Sequence, residues 1–175
     1  EKSSLEIETQ IWPRLNETDW FKNTAYKDLS EEELQKDESS EANNFLKYTS
    51  SVQSRMKTLN EGIEMLKPFL LENFDYNLDL FTHEKMKVDR TIALDALKNT
   101  IPVLEDLQDF SNEEKIKEAF TKAIEKMGVK NGQMLWPVRV ALTNEQFSPG
   151  TFEMVMLLGQ AISLKRVQNA IQALS

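Results

Sequence analysis

Between Gly132 and Gly159 the chain reads GQMLWPVRVALTNEQFSPGTFEMVMLLG, and few residues in it can do chemistry. Arg139 stands alone among apolar neighbours, just after Trp136-Pro137. A guanidinium is always cationic and offers a planar fork of donors, which suits a base edge or a phosphate and can stack on an unpaired base. Ser148-Pro149-Gly150-Thr151 has the composition of a helix start, with serine as N-cap and proline in the first turn. Backbone N–H groups at such a start lack intrahelical acceptors and can bond a phosphate or a splayed-out base. The competing role for Arg139 is a structural salt bridge. Trp136, beside proline and ahead of a helix, is assigned to the core rather than to a stacking platform. Lys85, Lys87, Arg90, Lys165 and Arg166 are further cations that could meet phosphates.

Other chemistries find no support. The chain has no cysteine and a single histidine, His83, which has no ligand set around it in the sequence and reads as a surface side chain. Neither a phosphate-loop sequence nor a dinucleotide-binding glycine pattern occurs. Paired carboxylates are frequent but sit on helix faces, where they solvate. No catalytic residue is assigned.

At 175 residues, with 40% hydrophobic and 29% charged residues, the chain can form one domain or two small ones. Five Gly and five Pro are too few for the many turns of an all-β fold. No apolar run approaches the ~20 residues of a membrane span. The chain opens on Glu1 rather than Met, so a fragment of a longer protein is expected. The net charge of −8 is uneven. Residues 1–80 hold nine Lys/Arg against seventeen Asp/Glu, whereas from Lys126 onward there are five against two. A locally basic face suffices for polyanion binding, so the total does not exclude it.

The positioning elements follow from apolar spacing. A short helix ending or kinking near Trp12, because of Pro13, should pack with Trp20 and Phe21. The acid- and serine-rich stretch 28–41 reads as a solvated linker or a short exposed helix. A helix over about 40–56 is followed by one starting at the capping box Thr58–Glu61, then by a connector with brief turns over 73–90. From Thr91 a 3.6-residue period predicts a helix that Pro102 should bend or split. A second capping box, Ser111–Glu114, opens a helix that Gly128 should close in the left-handed region. Pro137 is placed in the first turn of a short helix ending near Thr143. The helix after Ser148 should run to Gly159, with a last one beyond. The expectation is seven to nine helices, no strand and an all-α fold.

Three separated stretches are similar to the C-terminal anticodon-binding region of bacterial glutamyl-tRNA synthetases. They are Arg55-Met56-Lys57-Thr58-Leu59, Leu80-Phe81-Thr82-His83-Glu84-Lys85-Met86-Lys87, and the run from Lys130 through Trp136-Pro137-Val138-Arg139 and Ser148-Pro149-Gly150 to Gly159. The resemblance covers about residues 38–175. It implies two small helical bundles in tandem, 38–88 and 89–175, the latter contacting the anticodon loop, after an N-terminal helix and acidic linker over 1–37. The implied partner is tRNA(Glu), extending to tRNA(Gln) in readers of relaxed specificity. The implied parent is a cytoplasmic class I ligase that uses ATP and magnesium in a catalytic domain preceding this region. That domain's signature motifs are absent here, so the fragment itself is expected to hold no cofactor or metal. By the same resemblance Arg139 contacts an anticodon base, and Ser148, Pro149 and Thr151 form an anticodon-contacting turn. The resemblance further implies that Arg55 helps distinguish the glutamate from the glutamine anticodon. The ordinary alternative for Arg55 is a helix-end arginine favoured by the macrodipole. A helical protein–protein scaffold without RNA binding is the alternative for the chain as a whole.

Overall fold

Apolar residues at helical spacing become helix through most of the described residues. The computed structural model describes residues 4–30, 32–33 and 40–175. It contains helices α1 (Ser4–Asn16), α2 (Ser40–Gln53), α3 (Leu59–Leu70), α4 (Arg90–Asp106), α5 (Glu113–Met127), α6 (Asn131–Thr143) and α7 (Thr151–Leu174). Short 3-10 turns lie at Phe21–Asn23, Leu78–Phe81 and Glu84–Met86. Among the described residues there is no strand, only one antiparallel bridge between His83 and Val88. No helix among the described residues is long and apolar enough to cross a membrane. Half of the expected linker over 28–41, residues 31 and 34–39, lies outside the described residues.

Helix ends follow local chemistry. Thr58 and Glu61 form the expected capping box at α3. At α5 the cap is Asn112 rather than Ser111: its Oδ1 accepts from the Glu114 and Lys115 N–H groups. The Ser111 hydroxyl instead donates to Asp109 at 2.7 Å. Gly128 closes α5 at φ +65°.

Prolines stop fewer helices than their local cost suggests. α1 continues past Pro13 to Asn16, α4 runs unsplit through Pro102, and Pro137 lies inside α6 rather than in its first turn. An interior proline costs about 3 kcal/mol, but each fully buried large apolar side chain contributes about 1.5–3 kcal/mol. α6 buries Met134, Trp136, Val138, Val140 and Leu142, which outweighs one lost bond.

The chain's contacts divide it into two units, Glu1–Asn73 and Phe74–Ser175. In the first, α1, α2 and α3 pack mutually. Trp12 lies edge-on to Phe21 at 5.3 Å and to Phe45 at 5.2 Å, and Tyr48 stacks on Phe69 at 4.8 Å. α1 therefore shares the first bundle's core rather than standing apart with the linker. In the second unit α4, α6 and α7 form a mutually packed trio, with α5 laid against it. The division falls between Asn73 and Phe74 and not near Val88. Residues 74–88 join the second unit through Tyr76, Leu80 and buried Phe81, and Met86 fills the space over Gly132.

Gly159 breaks α7 into two helical stretches, as expected, with φ +71° and ψ −178°. That conformation is open to glycine and strained for any other residue. Helix propensity alone would make Gly159→Ala stabilising by up to ~1 kcal/mol. The observed backbone reverses the sign: the variant should lose about 1–3 kcal/mol in urea unfolding. Since a Cβ there meets nothing within 4 Å, the loss would report backbone strain and not a clash.

Candidate nucleic-acid interface

The second unit's exposed chemistry is organised by the C-terminal end of α6. Eight of that helix's residues, Met134, Trp136, Pro137, Val138, Val140, Ala141, Leu142 and Thr143, are buried, so its last carbonyls cannot turn to water. Other groups satisfy them. The Asn144 N–H donates to Val140 O at 2.7 Å. The Tyr76 hydroxyl lies 2.8 Å from Ala141 O and 2.9 Å from Arg166 O, a donor shared between two carbonyls. Burial raises the Tyr76 pKa, with nearby Arg166 opposing, so the hydroxyl keeps its proton. The Arg166 guanidinium donates to Leu142 O and lies over the Phe74 ring at 4.6 Å. Asn144, at φ +53°, binds residues 75–77 from both sides. Its amide donates to Asp75 O at 3.0 Å, and its Oδ1 accepts from the Asn77 N–H at 2.9 Å.

Arg139 lies on α6 next to this end. Its guanidinium carbon sits 4.7 Å from the Trp136 ring centre, and one terminal nitrogen donates to Gln146 O at 3.1 Å. Nε is buried with no hydrogen-bond partner, and no carboxylate among the described residues pairs with the group. Desolvation lowers its pKa below the usual arginine value, yet an arginine remains cationic. The result is a half-buried charge with donor capacity to spare. Trp136 is core, as expected: it is 8% exposed, and its Nε1–H donates to Leu80 O at 2.8 Å. His83, half-buried, lies edge-on to the same indole at 4.3 Å, and its Nδ1 accepts the Met86 N–H, so it is a turn cap rather than a surface histidine.

The loop from Asn144 to Gly150 carries the expected contact turn, with changes. Gly150 rather than Ser148 occupies the N-cap of α7, and no side chain caps that end. The Ser148 hydroxyl lies 3.2 Å from Pro149 O, and both residues are half-buried. Thr151 is 7% exposed and donates its hydroxyl inward to Leu135 O, so only its backbone faces the helix start. Acidic Glu153 lies in that first turn. Phe147, absent from the sequence-based candidates, is 86% exposed. The signal was a lone aromatic between Gln146 and Ser148, but exposure is not visible in a sequence.

The remaining cations sort by packing. Lys85, Lys87 and Lys165 are exposed. Arg166, expected at phosphates, is 1% exposed and serves α6. Arg90 donates through Nε and Nη2 to Leu174 O, completing the end of α7. In the first unit, Arg55 follows α2, and its guanidinium donates to Ser51 O at 2.6 Å, as a helix-end arginine does. Among the described residues, no group of three or more His, Asp or Glu is placed to hold a metal ion.

A family profile described as an anticodon binding domain matches residues 8–171, reaching further toward the N-terminus than the motif resemblance did. The chain is 37% identical over 129 residues to the glutamate–tRNA ligase of Clostridium acetobutylicum, covering 73% of this chain and 26% of that protein. It is 35% identical over 144 residues to the glutamate–tRNA ligase of Clostridium novyi, covering 82% and 29%. With that of Lachnoclostridium phytofermentans it shares 37% over 125 residues, covering 71% and 25%. The chain thus spans between a quarter and a third of the length of these relatives.

Trp136→Phe keeps a ring beside Arg139 but removes the indole donor and leaves Leu80 O without it. The expected cost is about 1–2 kcal/mol of stability in urea unfolding, the scale of one buried hydrogen bond. An unchanged midpoint would mean that the bond contributes nothing net.

Proposed function

The chain belongs to the anticodon-binding-domain family, and from that premise we propose that it reads the anticodon loop of tRNA(Glu) as one part of a glutamate–tRNA ligase. One observation carries the reading to particular atoms. Arg139 is half-desolvated, lies against an indole and has no carboxylate partner among the described residues, which favours an outside group for its donor fork over a structural salt bridge. A base edge or phosphate arriving there would recover the desolvation already incurred.

Ser148 and Pro149 shape the turn beside this cation, and the uncapped start of α7 offers backbone N–H groups to the same loop. Thr151 contributes through its backbone, because its hydroxyl is committed to Leu135. Arg55 belongs to the first unit, and its part is to tell the glutamate from the glutamine anticodon by exchanging its hold on Ser51 for a base edge. If it does not discriminate, tRNA(Gln) is a second substrate. ATP, magnesium and glutamate are handled by a catalytic domain outside this chain, in the cytoplasm.

Titration of the chain with tRNA(Glu) at low and moderate salt tests the proposal. Wild type should bind with a strong salt dependence. Arg139→Ala should weaken binding by about 1–3 kcal/mol, and Arg139→Lys should recover the charge but not the fork. Salt-independent or absent binding at low ionic strength would count decisively against tRNA reading. For Arg55, aminoacylation by a full-length ligase of tRNAs bearing either anticodon, with Arg55→Gln as comparison, is the direct measurement.

A further inference from the structure

We infer that Phe147 is a stacking platform for an unpaired base of the RNA loop that Arg139 engages. The inference deepens the proposed tRNA reading and rests on it. Phe147 is 86% exposed, whereas Met65, Leu78 and Met86, the other exposed large hydrophobics, reach only 37–38%. Each of the other eight phenylalanines is buried or half-buried. A phenyl ring this open, unlike the chain's other phenylalanines, has a face free to meet an outside π system.

The ring is also displayed rather than loose. Its loop begins at Asn144, which is bonded to Asp75 and Asn77, and the Glu145 N–H donates to the Thr143 hydroxyl at 3.2 Å. The carbonyl of Gln146, immediately before Phe147, accepts from Arg139. One tethered loop therefore carries a π face next in sequence to the group that holds the guanidinium. Recognition of a splayed base uses both parts, a stacking surface and donors for its edge.

The surroundings select the occupant. A docking protein needs a contiguous apolar patch, but the residues flanking Phe147 in sequence are Glu145 and Gln146, both exposed, then Ser148 and Pro149, both half-buried. The carboxylate disfavours a phosphate at this spot. A single flat ring in a polar loop matches a single flat base.

The test titrates the chain into an anticodon stem-loop RNA of tRNA(Glu) carrying 2-aminopurine at one loop position at a time. Phe147→Ala and Phe147→Leu should weaken binding about 5- to 150-fold and abolish the fluorescence change at one position. Phe147→Trp should restore both. Since stacking is uncharged, these variants should keep the wild-type salt slope, whereas Arg139→Ala should flatten it. Urea midpoints should stay at the wild-type value, because the ring is exposed. If Phe147→Leu binds and reports like wild type while Arg139→Ala is weakened, the stacking role is overturned and tRNA reading stands. If wild type itself shows no salt-sensitive binding, both fall together.

Discussion

A buried helix with carbonyls at its end must find donors, and in the second unit that constraint at α6 fixes nearly everything else. Leaving one such carbonyl unbonded costs about 1–3 kcal/mol. Tyr76, Asn144 and Arg166 remove that cost from three directions, the first from the segment ahead of α4, the last from α7. Because Tyr76 also bonds Arg166 O, the segment 74–77, the end of α6 and the middle of α7 are held in one network. A cation at a helix C-terminus further suits the partial negative charge there, which gives Arg166 a reason to be inside.

The same network determines what remains for solvent and ligand. With Asn144 spent on residues 75 and 77, the chain leaves α6 on a fixed heading, and the loop that follows returns a carbonyl to Arg139. Arg139 is thereby held against Trp136, whose own indole is held by Leu80 O. A preorganised guanidinium loses less freedom on binding than a surface lysine would, so the ordering cost is met in folding rather than at recognition. The site is thus a consequence of how α6 ends.

How much of this was legible depended on whether local chemistry or packing decided each point. The Thr58 capping box, the left-handed Gly128 and the break at Gly159 are backbone matters, and residue type alone announced them. A helix end at Pro13, a split at Pro102 and a first-turn place for Pro137 were misjudged because a proline's cost is local while the burial that outweighs it is not. Arg166, read as a phosphate contact, was misjudged for the same reason: only the fold shows that it meets Leu142. Arg139 stood out in the sequence as a lone arginine in an apolar run, whereas its want of a carboxylate partner among the described residues needed the structure. Phe147 was marked in the sequence only as a lone aromatic between polar residues, which does not by itself separate it from the core phenylalanines.

Charge gives the proposed reading its character. With a net charge of −8, this chain does not have the cationic surplus for tight binding through phosphates alone. The second unit's nine lysines are all exposed, but its twelve Lys and Arg stand against fourteen Asp and Glu, and two of its arginines, Arg90 and Arg166, are committed to helix ends. What is left is one preorganised fork and a loop, which favours selectivity over affinity. Such a module is suited to act in cis with a surface that supplies most of the binding. Its own contribution then enters as a discrimination between loops already brought near by that surface, at high effective concentration. A weak, sequence-sensitive reader needs no basic face of its own, and so the acidic composition is compatible with an RNA-facing role.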